Sequence, residues 1–300
     1  MNNKKEGKIM FKQIQMKRDA NIKNFQNTMY MCNNNQTLQN WIKVSKEHQK
    51  IYLEDYPLPE ISKKNDTPCN IIVSKKRSLE AAKEYTAKGL PVAVLNFASA
   101  TNPGGGVYKG SSAQEECLCR CSTLYKNLAD ESTITKFYQP HKIAKNALYN
   151  NDCIYSPSVM VFKSDTDNPE LLDVKDWYSV DVITCAAPNL RENPGESKMN
   201  PNKGEVAITN ISNEKLKQIH IERGRRILSI ARLNMNPIVI LGAFGCGAFK
   251  NPPKVVAEAY KELVEEFKYY FDTIEFAVYC PPYNDTNYKV FKNILLEKEN

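Results

Sequence analysis

Short, almost continuously apolar segments alternate with helix-like segments from residue 69 onward, and this alternation constrains the fold more than any other feature. Continuous apolar strands are typical of parallel sheets that are buried on both faces. Their alternation with helices places the chain in the α/β class, with a mainly parallel sheet covered on both faces. The predicted strands are 70–75, 91–99, two short strands within 152–163, 178–188, the first part of 236–249, and 273–280; the predicted helices are 78–89, 113–128, 213–234 and 252–271.

The first 68 residues are polar, rich in lysine and asparagine, and only weakly periodic, with helix-like stretches at 12–31 and 38–53. We predict that residues 1–68 form a helical extension packed on an α/β domain that spans 69–300. The N-terminus lacks the apolar segment of a signal peptide, and no apolar run reaches the roughly 18 residues of a membrane span. We therefore expect a cytoplasmic protein without a membrane partner, and the nucleus is left open.

The chain is basic, with 41 Lys and Arg against 34 Asp and Glu, a net charge of +7 and a pI near 8.8. This balance favours an anionic partner such as nucleic acid, a nucleotide polymer or a phosphorylated ligand, and a biased composition explains it equally well. No segment interleaves basic and aromatic residues as single-strand-binding surfaces do. Nucleic acid is therefore not a required partner.

Nine cysteines, an odd number, indicate reduced thiols used as small apolar residues. Cys117, Cys119 and Cys121 have C-x-C-x-C spacing, which differs from the C-x2-C spacing of tetrahedral zinc sites, so no metal is expected. The three histidines lie far apart in polar surroundings, and we expect them at the surface without a nucleophile to serve. They are His48, His141 and His220.

Two glycine-rich loops follow predicted strands, and their glycines are Gly104, Gly105 and Gly106 in the first loop and Gly242, Gly245 and Gly247 in the second. One glycine suffices for a turn, so three in succession indicate a ligand that approaches the main chain and accepts hydrogen bonds from its N–H groups. The second loop precedes a helix N-terminus, which favours a phosphate. Neither loop is a Walker motif or a dinucleotide fingerprint. Because ligands bind at the carboxyl ends of parallel strands, the two loops predict a ligand with a diphosphate and at least one sugar.

Two adjacent carboxylates, Glu115 and Glu116, come shortly after the first loop. Ser112 and Glu115 match a helix capping box, which offers a purely structural interpretation. Beside the glycines, the same carboxylates would lie next to the bound sugar. A general acid needs a raised pKa, and we expect the bound diphosphate and the neighbouring carboxylate to raise the pKa of the acid mainly when substrate is present. Phe244 and Phe249 flank the second loop's glycines and would pack either in the core or against a ribose or base.

The segment VLNFASATNPGGGVYKGSSAQEE resembles the signature of the microbial-type poly(ADP-ribose) glycohydrolases, in which GGG precedes QEE by a short loop. VITCAAPNL (182–190) and GAFGCGAFKNPP (242–253) resemble further blocks of that family, and the similarity extends over residues 69–290. The resemblance implies a macrodomain, a three-layer α/β/α sandwich with a mixed sheet that binds ADP-ribose. It also implies hydrolysis of the ribose–ribose O-glycosidic bond of poly(ADP-ribose), without a metal or organic cofactor.

The resemblance also implies roles for individual residues. Glu116 would be the general acid that protonates the departing ribose oxygen and then activates water. Glu115 would hydrogen-bond ribose hydroxyls, and Gln114 would support the pair. The other implied ligand contacts are Ser99, Asn102, Gly104, Gly105, Gly106, Gly245, Cys246, Gly247 and Phe249.

The implied partners are poly(ADP-ribose) and ADP-ribosylated proteins, and we expect the chain to act as a monomer. Two alternatives stay open at this point. One is a hydrolase that removes mono-ADP-ribose from protein or nucleic acid. The other is a reader that binds ADP-ribose without cleaving it, and the intact pair of Glu115 and Glu116 speaks against it.

Overall fold

The computed structural model describes residues 2–194 and 210–297, with side chains from residue 12 onward. Seven strands of the described part form one sheet: β1 Lys50–Tyr52, β2 Asn70–Ser74, β3 Val92–Phe97, β4 Cys153–Val161, β5 Tyr178–Cys185, β6 Ile238–Leu241 and β7 Thr273–Ala277. Their order across the sheet is β1–β4–β5–β3–β6–β7–β2. The five strands from β5 to β2 are parallel, whereas β4 is antiparallel to both β5 and β1. The predicted mixed sheet is confirmed.

Helices cover both faces of this sheet. They are α1 Asn2–Asn34, α2 Gln36–His48, α3 Ser78–Thr86, α4 Gln114–Cys121, α5 Leu124–Leu128, α6 Glu131–Thr133, α7 Gln139–Ala144, α8 Asn213–Leu233, α9 Pro253–Phe267 and α10 Thr286–Leu296. Apolar residues of α8, α9 and α10 form one core against the sheet, and those of α1, α3, α4 and α5 contribute to a second core on the opposite face. The three-layer α/β/α architecture predicted from the sequence is therefore confirmed.

The sequence pattern explains these two cores. All four residues of β6 are buried, as the continuous apolar run requires for a central parallel strand. In α9, Val256, Tyr260, Leu263 and Phe267 recur at helical spacing and are all buried against the sheet. Segments with continuous apolar residues thus form the sheet layer, and segments with apolar residues at helical spacing form the helical layers on either side of it.

The N-terminal 68 residues supply more than helices. The predicted helix 38–53 is wrong in its last part, because α2 ends at His48 and Lys50–Tyr52 form β1 on the edge of the sheet. Ile51 of β1 pairs with Ile154 of β4. Three residues in a polar segment carry little strand signal, and the pairing partner lies a hundred residues away. The division of the chain at 68/69 stays a prediction.

Two other element predictions need correction. The segment 152–163 forms one strand, not two, with an irregularity between Ser156 and Val159, where Ser158 adopts φ +54°. The predicted helix 113–128 is interrupted after Cys121, because Ser122 turns extended and forms a bridge with Val161 of β4. In both cases a tertiary pairing overrides the local pattern. The short helices between 131 and 144 were not predicted.

Candidate active site

The two glycine-rich loops lie side by side at one edge of the sheet. The first leaves β3 and the second leaves β6, and these strands are parallel neighbours, with Val94 paired to Ile240. Their carboxyl ends therefore open onto the same region, where α/β sheets bind ligands. The prediction that both loops sit at strand exits is confirmed.

The first loop folds tightly around the acidic pair. Gly104 and Gly105 adopt left-handed backbone with φ +65° and +58°. A Cβ on Gly105 would lie 2.6 Å from Glu116 Oε1 and 3.0 Å from Glu115 Oε2. Glycine is needed here because the carboxylates approach the main chain, an approach that a side chain would block.

The N–H groups of this loop are bonded within the protein. Gly105 N donates to Asn102 O at 3.0 Å, and Gly106 N donates to Glu116 Oε1 at 2.8 Å. The expectation that these N–H groups are left for a ligand is wrong for these two glycines, since the loop uses them to hold its own turn and the carboxylate. Asn102 is exposed, and its main-chain N donates to Ser99 Oγ at 3.2 Å.

Glu116 lies in the first turn of α4 with one of its two oxygens engaged. Oε1 accepts the hydrogen bond from Gly106, whereas Oε2 is buried and has no partner among the described residues. Burial is the main cause that raises the pKa of Glu116, and the Gly106 N–H and the Arg120 guanidinium partly oppose it. A buried carboxyl with a raised pKa and a free oxygen is suited to proton transfer.

Glu115 is held more completely. Oε2 accepts from Ser99 N at 2.7 Å, and Oε1 accepts from Asn96 Nδ2 at 3.4 Å. Burial, followed by the charge of Glu116, raises the pKa of Glu115 well above its ordinary value.

The capping-box alternative is wrong: α4 begins at Gln114 with Ala113 as its N-cap, and the Glu115 carboxylate turns to β3 instead. Burial by the protein already raises the pKa of Glu116 without substrate, and the expected further rise on substrate binding stays a prediction.

Gln114 ties the start of α4 to the end of β3. Its Oε1 accepts from Phe97 N at 2.9 Å, and its Nε2 donates to Leu95 O at 2.8 Å and to Ser78 Oγ at 3.0 Å. Both ends of the amide are thus bonded to protein atoms. These bonds fix the start of α4, which carries the acidic pair, and the side chain of Gln114 also lines the cavity described below; its role toward substrate stays a prediction.

The second loop is held from behind by Asn251. Its Nδ2 lies 3.1 Å from Gly245 O, 2.7 Å from Pro188 O and 3.3 Å from Phe249 O. Its Oδ1 accepts from Nε2 of His220, which is buried in α8. Gly245 has φ +79°, and a Cβ there would lie 2.7 Å from Asn251 Nδ2. This buried amide therefore fixes the shape of the loop.

Cys246 and Gly247 differ in their surroundings. The Cys246 side chain packs against the apolar core, where burial raises the pKa of its thiol to about 12, and its main-chain N donates to Ala243 O at 3.0 Å. A Cβ on Gly247 would meet nothing within 4 Å, so this glycine faces open space. Phe249 is half-buried, and the Arg191 guanidinium lies 5.6 Å from the centroid of the Phe249 ring.

A cavity of about 680 Å³ joins the two loops and the acidic pair. Its volume lies in the range of sites for nucleotide-sized ligands. The predicted site residues that line it are Ser99, Gly105, Gln114, Glu115, Glu116, Gly245, Gly247 and Phe249. The predicted residues outside its lining are Asn102, Gly104, Gly106 and Cys246.

Several cavity residues were missed by the sequence analysis. The Arg77 guanidinium lies 3.9 Å from the ring centroid of Tyr279, and both line the cavity together with Phe97. Asp165 also lines it, with a buried side chain whose Oδ1 accepts no hydrogen bond in the described part of the chain and lies 4.0 Å from Arg77 Nη1. None of these residues belongs to a glycine loop or a carboxylate run. The one sequence signal that pointed to this region was Asn96, a polar residue inside an apolar strand, and its side chain bonds to Glu115.

The prediction of surface histidines is wrong for two of the three. His220 is 1% exposed and His141 is 6% exposed, whereas His48 is exposed as predicted. Polar neighbours in sequence do not show which face of a helix is covered. The aromatic residue Phe244 is 1% exposed and belongs to the apolar core, although it also borders the cavity.

All nine cysteines are free thiols, and Cys119 and Cys121 are fully buried. Across residues 2–194 and 210–297, no group of three His, Cys, Asp or Glu side chains is arranged to hold a metal ion. Over the same residues, no helix has the length and apolar character needed to cross a bilayer.

Fold and site together define an α/β/α ligand-binding domain with a buried carboxylate pair at the carboxyl edge of its sheet. The family model described as "Microbial-type PARG, catalytic domain" matches residues 19–164. A substitution variant of the Deinococcus radiodurans poly(ADP-ribose) glycohydrolase, solved with ADP-ribose, is 30% identical to this chain. The match covers 85% of this chain and 96% of that chain, with a TM-score of 0.68. The chain belongs to the microbial-type poly(ADP-ribose) glycohydrolase family.

Two further solved structures support this assignment. The poly(ADP-ribose) glycohydrolase of Thermomonospora curvata matches with a TM-score of 0.78 and 27% identity, covering 92% of this chain and 99% of that chain. The Deinococcus radiodurans enzyme in complex with ADP-ribose matches with a TM-score of 0.68 and 28% identity, covering 85% and 96%. Among curated proteins, none matches the chain.

Proposed function

We propose that this chain is a poly(ADP-ribose) glycohydrolase, which hydrolyses ribose–ribose O-glycosidic bonds of poly(ADP-ribose) and releases ADP-ribose. Family membership and the similarity to relatives solved with ADP-ribose support the substrate class. The observation that carries the reaction type is the Glu116 carboxyl. It is buried and belongs to the cavity lining, its pKa is raised, and its Oε2 has no hydrogen-bond partner among the described residues.

The chemistry follows from the two oxygens of Glu116. Gly106 N–H fixes Oε1, so the proton of the acid form resides on Oε2, which is available to the oxygen of the departing ribose. Proton transfer to that oxygen breaks its bond to the anomeric carbon and leaves an oxocarbenium-like sugar. The resulting carboxylate then accepts a proton from water, whose oxygen attacks the anomeric carbon. One water is consumed, the leaving ribose departs as an alcohol, the other product carries a hemiacetal hydroxyl at its anomeric carbon, and Glu116 is returned to its acid form.

Glu115 has a different role because both of its oxygens already accept hydrogen bonds. Further acceptor capacity on these oxygens would bind ribose hydroxyls and orient the bond for cleavage. Adjacent residues of one helix turn cannot face each other across a glycosidic bond as the two acids of most glycosidases do. A single residue, Glu116, therefore serves as acid and then as base.

The cavity walls suit the rest of ADP-ribose. Aromatic side chains of Phe97, Phe244, Phe249 and Tyr279 border it, and such rings pack against ribose and base faces. Gly247, with open space on its Cα, allows a diphosphate to approach the second loop closely. The ring of Tyr279 is 43% exposed, so it can be covered by a ligand.

Product analysis on automodified protein carrying poly(ADP-ribose) tests this function. The wild-type chain should release free ADP-ribose, detected by chromatography. Glu116→Gln should lower kcat by about 10²- to 10⁴-fold, the usual contribution of a general acid, and should leave the affinity for ADP-ribose within a few-fold. Glu47→Gln is the matched control, because it removes the same charge from an exposed position on α2 and should leave activity unchanged.

Each alternative has its own outcome in this assay. A wild-type chain that fails on polymer and acts on a mono-modified target would be a mono-ADP-ribosyl hydrolase. A wild-type chain that binds ADP-ribose and cleaves neither would be a reader. Full activity of Glu116→Gln would remove Glu116 from the mechanism. We further propose that the chain acts as a monomer on ADP-ribosylated proteins in the cytoplasm. The basic net charge supports the part of this proposal that concerns an anionic polymer substrate.

A further inference from the structure

Helix α1 packs against the end of the first glycine loop. Asn21 is 4% exposed, and its Nδ2 donates to Gly110 O at 3.0 Å. Gly110 has φ +71°, and a Cβ at this position would clash with the main-chain oxygen of Arg18. The main chain of α1 thus lies directly on the residue where the loop ends, and Asn21 also lines the catalytic cavity.

The same helix supports the start of the loop through aromatic packing. Phe25 is 1% exposed, and its ring centroid lies 4.9 Å from that of Tyr108 and 5.1 Å from that of Tyr125, with edge-to-face geometry. A Cβ on Gly104 would lie 2.8 Å from the Tyr125 ring, so this ring abuts the first glycine. Both ends of the turn that holds Glu116 are therefore backed by side chains in contact with α1.

A third contact links α1 to the helix that carries the acids. Thr28 Oγ1 donates to Arg120 O at 2.6 Å, and the Arg120 guanidinium donates to Ser111 O, also at 2.6 Å. Loop exit, α4 and α1 are thus joined by buried hydrogen bonds. A shift of α1 would be passed to the glycine loop and, through the Gly106 N–H, to Glu116.

We propose that α1 is part of the catalytic apparatus and that Asn21 is a positioning residue that fixes the first glycine loop around Glu116. The proposal rests on the function proposed above. Asn21 touches the loop and not the reacting atoms, so it acts through Gly110 and the turn that follows Gly104. The loop itself carries no disulfide or strand pairing, and two of its glycines are in left-handed backbone. The hydrogen bond from α1 supplies the rigidity that the glycines remove.

The test compares Asn21→Ala with Asn24→Ala, one turn further along α1. Asn24 Nδ2 also donates to a main-chain oxygen, that of Pro169 at 2.6 Å, and Asn24 accepts from Lys163, but none of these residues belongs to the glycine loop. Both variants lose one amide–carbonyl hydrogen bond of α1, and Asn24→Ala also loses the bond that Oδ1 accepts from Lys163 Nζ. We expect Asn21→Ala to lower kcat on poly(ADP-ribose) by about tenfold or more with little change in KM, since a displacement near 1 Å costs on the order of 100-fold. Asn24→Ala should stay near wild-type kcat.

The pH profile of kcat gives a readout that a loss of stability alone would not move. Weakening the Gly106 N–H bond removes a contact that lowers the pKa of Glu116. Because the acid form is needed, the alkaline limb of the Asn21→Ala profile should move to higher pH, and that of Asn24→Ala should not move. If Asn21→Ala does not fold, Asn21→Leu decides, because its side chain has a similar size, carries no charge and cannot donate to Gly110 O.

Equal kcat and equal pH limbs in the Asn21 and Asn24 variants would overturn the proposal, and α1 would then be a structural cover. A wild-type chain inactive on poly(ADP-ribose) would instead contradict the proposed function, so the two failures are distinguishable. Melting temperatures of all variants, measured alongside, separate lost stability from lost positioning.

Discussion

Gly105 offers the sharpest test of how the loop and the acidic pair fit together. In Gly105→Ala, the new Cβ would lie 2.6 Å from Glu116 Oε1 and 3.0 Å from Glu115 Oε2. Ordinary van der Waals contact begins at 3.4 Å, so Glu116 Oε1 would have to move by about 0.8 Å. A displacement of this size at a reacting group costs on the order of 100-fold in rate. We expect kcat on poly(ADP-ribose) to fall by about that factor.

The stability cost has two sources. Left-handed backbone at a residue with a Cβ costs about 1–2 kcal/mol, and Gly105 has φ +58°. Displacing Glu116 also weakens its hydrogen bond from Gly106 N, and bonds to charged groups contribute about 1.5–3 kcal/mol. The free energy of unfolding should therefore fall by about 2–5 kcal/mol, where each kcal/mol corresponds to a Tm change of roughly 2–4 °C in a domain of similar size.

Gly89 provides the matched control. It has φ +75°, and a Cβ there would meet nothing within 4 Å. Gly89→Ala therefore carries the backbone strain of about 1–2 kcal/mol without a clash, at a residue that does not line the cavity. Its Tm should fall by a few degrees, and its kcat should equal that of the wild type. The difference between the two variants isolates the contact with the carboxylates.

Steady-state hydrolysis of poly(ADP-ribose) and thermal unfolding measure both effects on the same samples. If Gly105→Ala keeps wild-type kcat and loses no more Tm than Gly89→Ala, the carboxylates do not need the glycine, and the close approach between loop and acids has no catalytic consequence.

Two predictions concern pH and stability. Burial and the charge of Glu116 raise the folded-state pKa of Glu115 well above the ordinary 4.5, so the stability that the protonated form provides is lost as pH rises through the folded pKa. Glu115→Gln cannot titrate, so its Tm relative to that of the wild type should increase as pH rises above 4.5. A Tm difference that stays constant with pH would contradict the raised pKa of Glu115. Burial lowers the pKa of His220 to about 4 from 6.5, so the stability that the neutral imidazole provides is present above pH 6.5 and is lost as pH falls toward 4. The Tm of His220→Gln, which keeps a donor for Asn251, should fall less than the wild-type Tm over that pH interval. An equal fall in Tm would show that His220 does not titrate there.

The sequence predicts the parts of this structure that are set by local pattern. Strand β6 is a continuous apolar run, β3 and β7 are mainly apolar, and α8 and α9 are long and periodic, so their positions follow from the residues alone. The location of the ligand site at the two glycine loops is predicted from their position directly after apolar strands. The segment around β1 carries no such signal, because three residues form a strand only by pairing with β4.

Side-chain partners lie beyond what pattern can give. Ser112 and Glu115 have the spacing of a capping box, yet Glu115 bonds to Ser99 N at the end of β3. Asp165 lies after β4 with no motif around it, and only the folded chain shows that it lines the cavity. The cause of the raised pKa values is likewise tertiary, since burial depends on what the sheet and both loops place around the pair.

The protein prepares its acid through features that each lower stability. Two left-handed glycines, a buried carboxyl oxygen without a partner and two adjacent buried carboxyls are all unfavourable in a folded chain. They persist because surrounding contacts hold them, among them the Gly106 N–H on Glu116 and the packing of α1 behind the loop. Since burial by the protein is the main cause of the raised pKa, the shift toward the acid form of Glu116 is present before substrate arrives. The energetic cost of burying the acid is therefore met during folding rather than in each catalytic cycle.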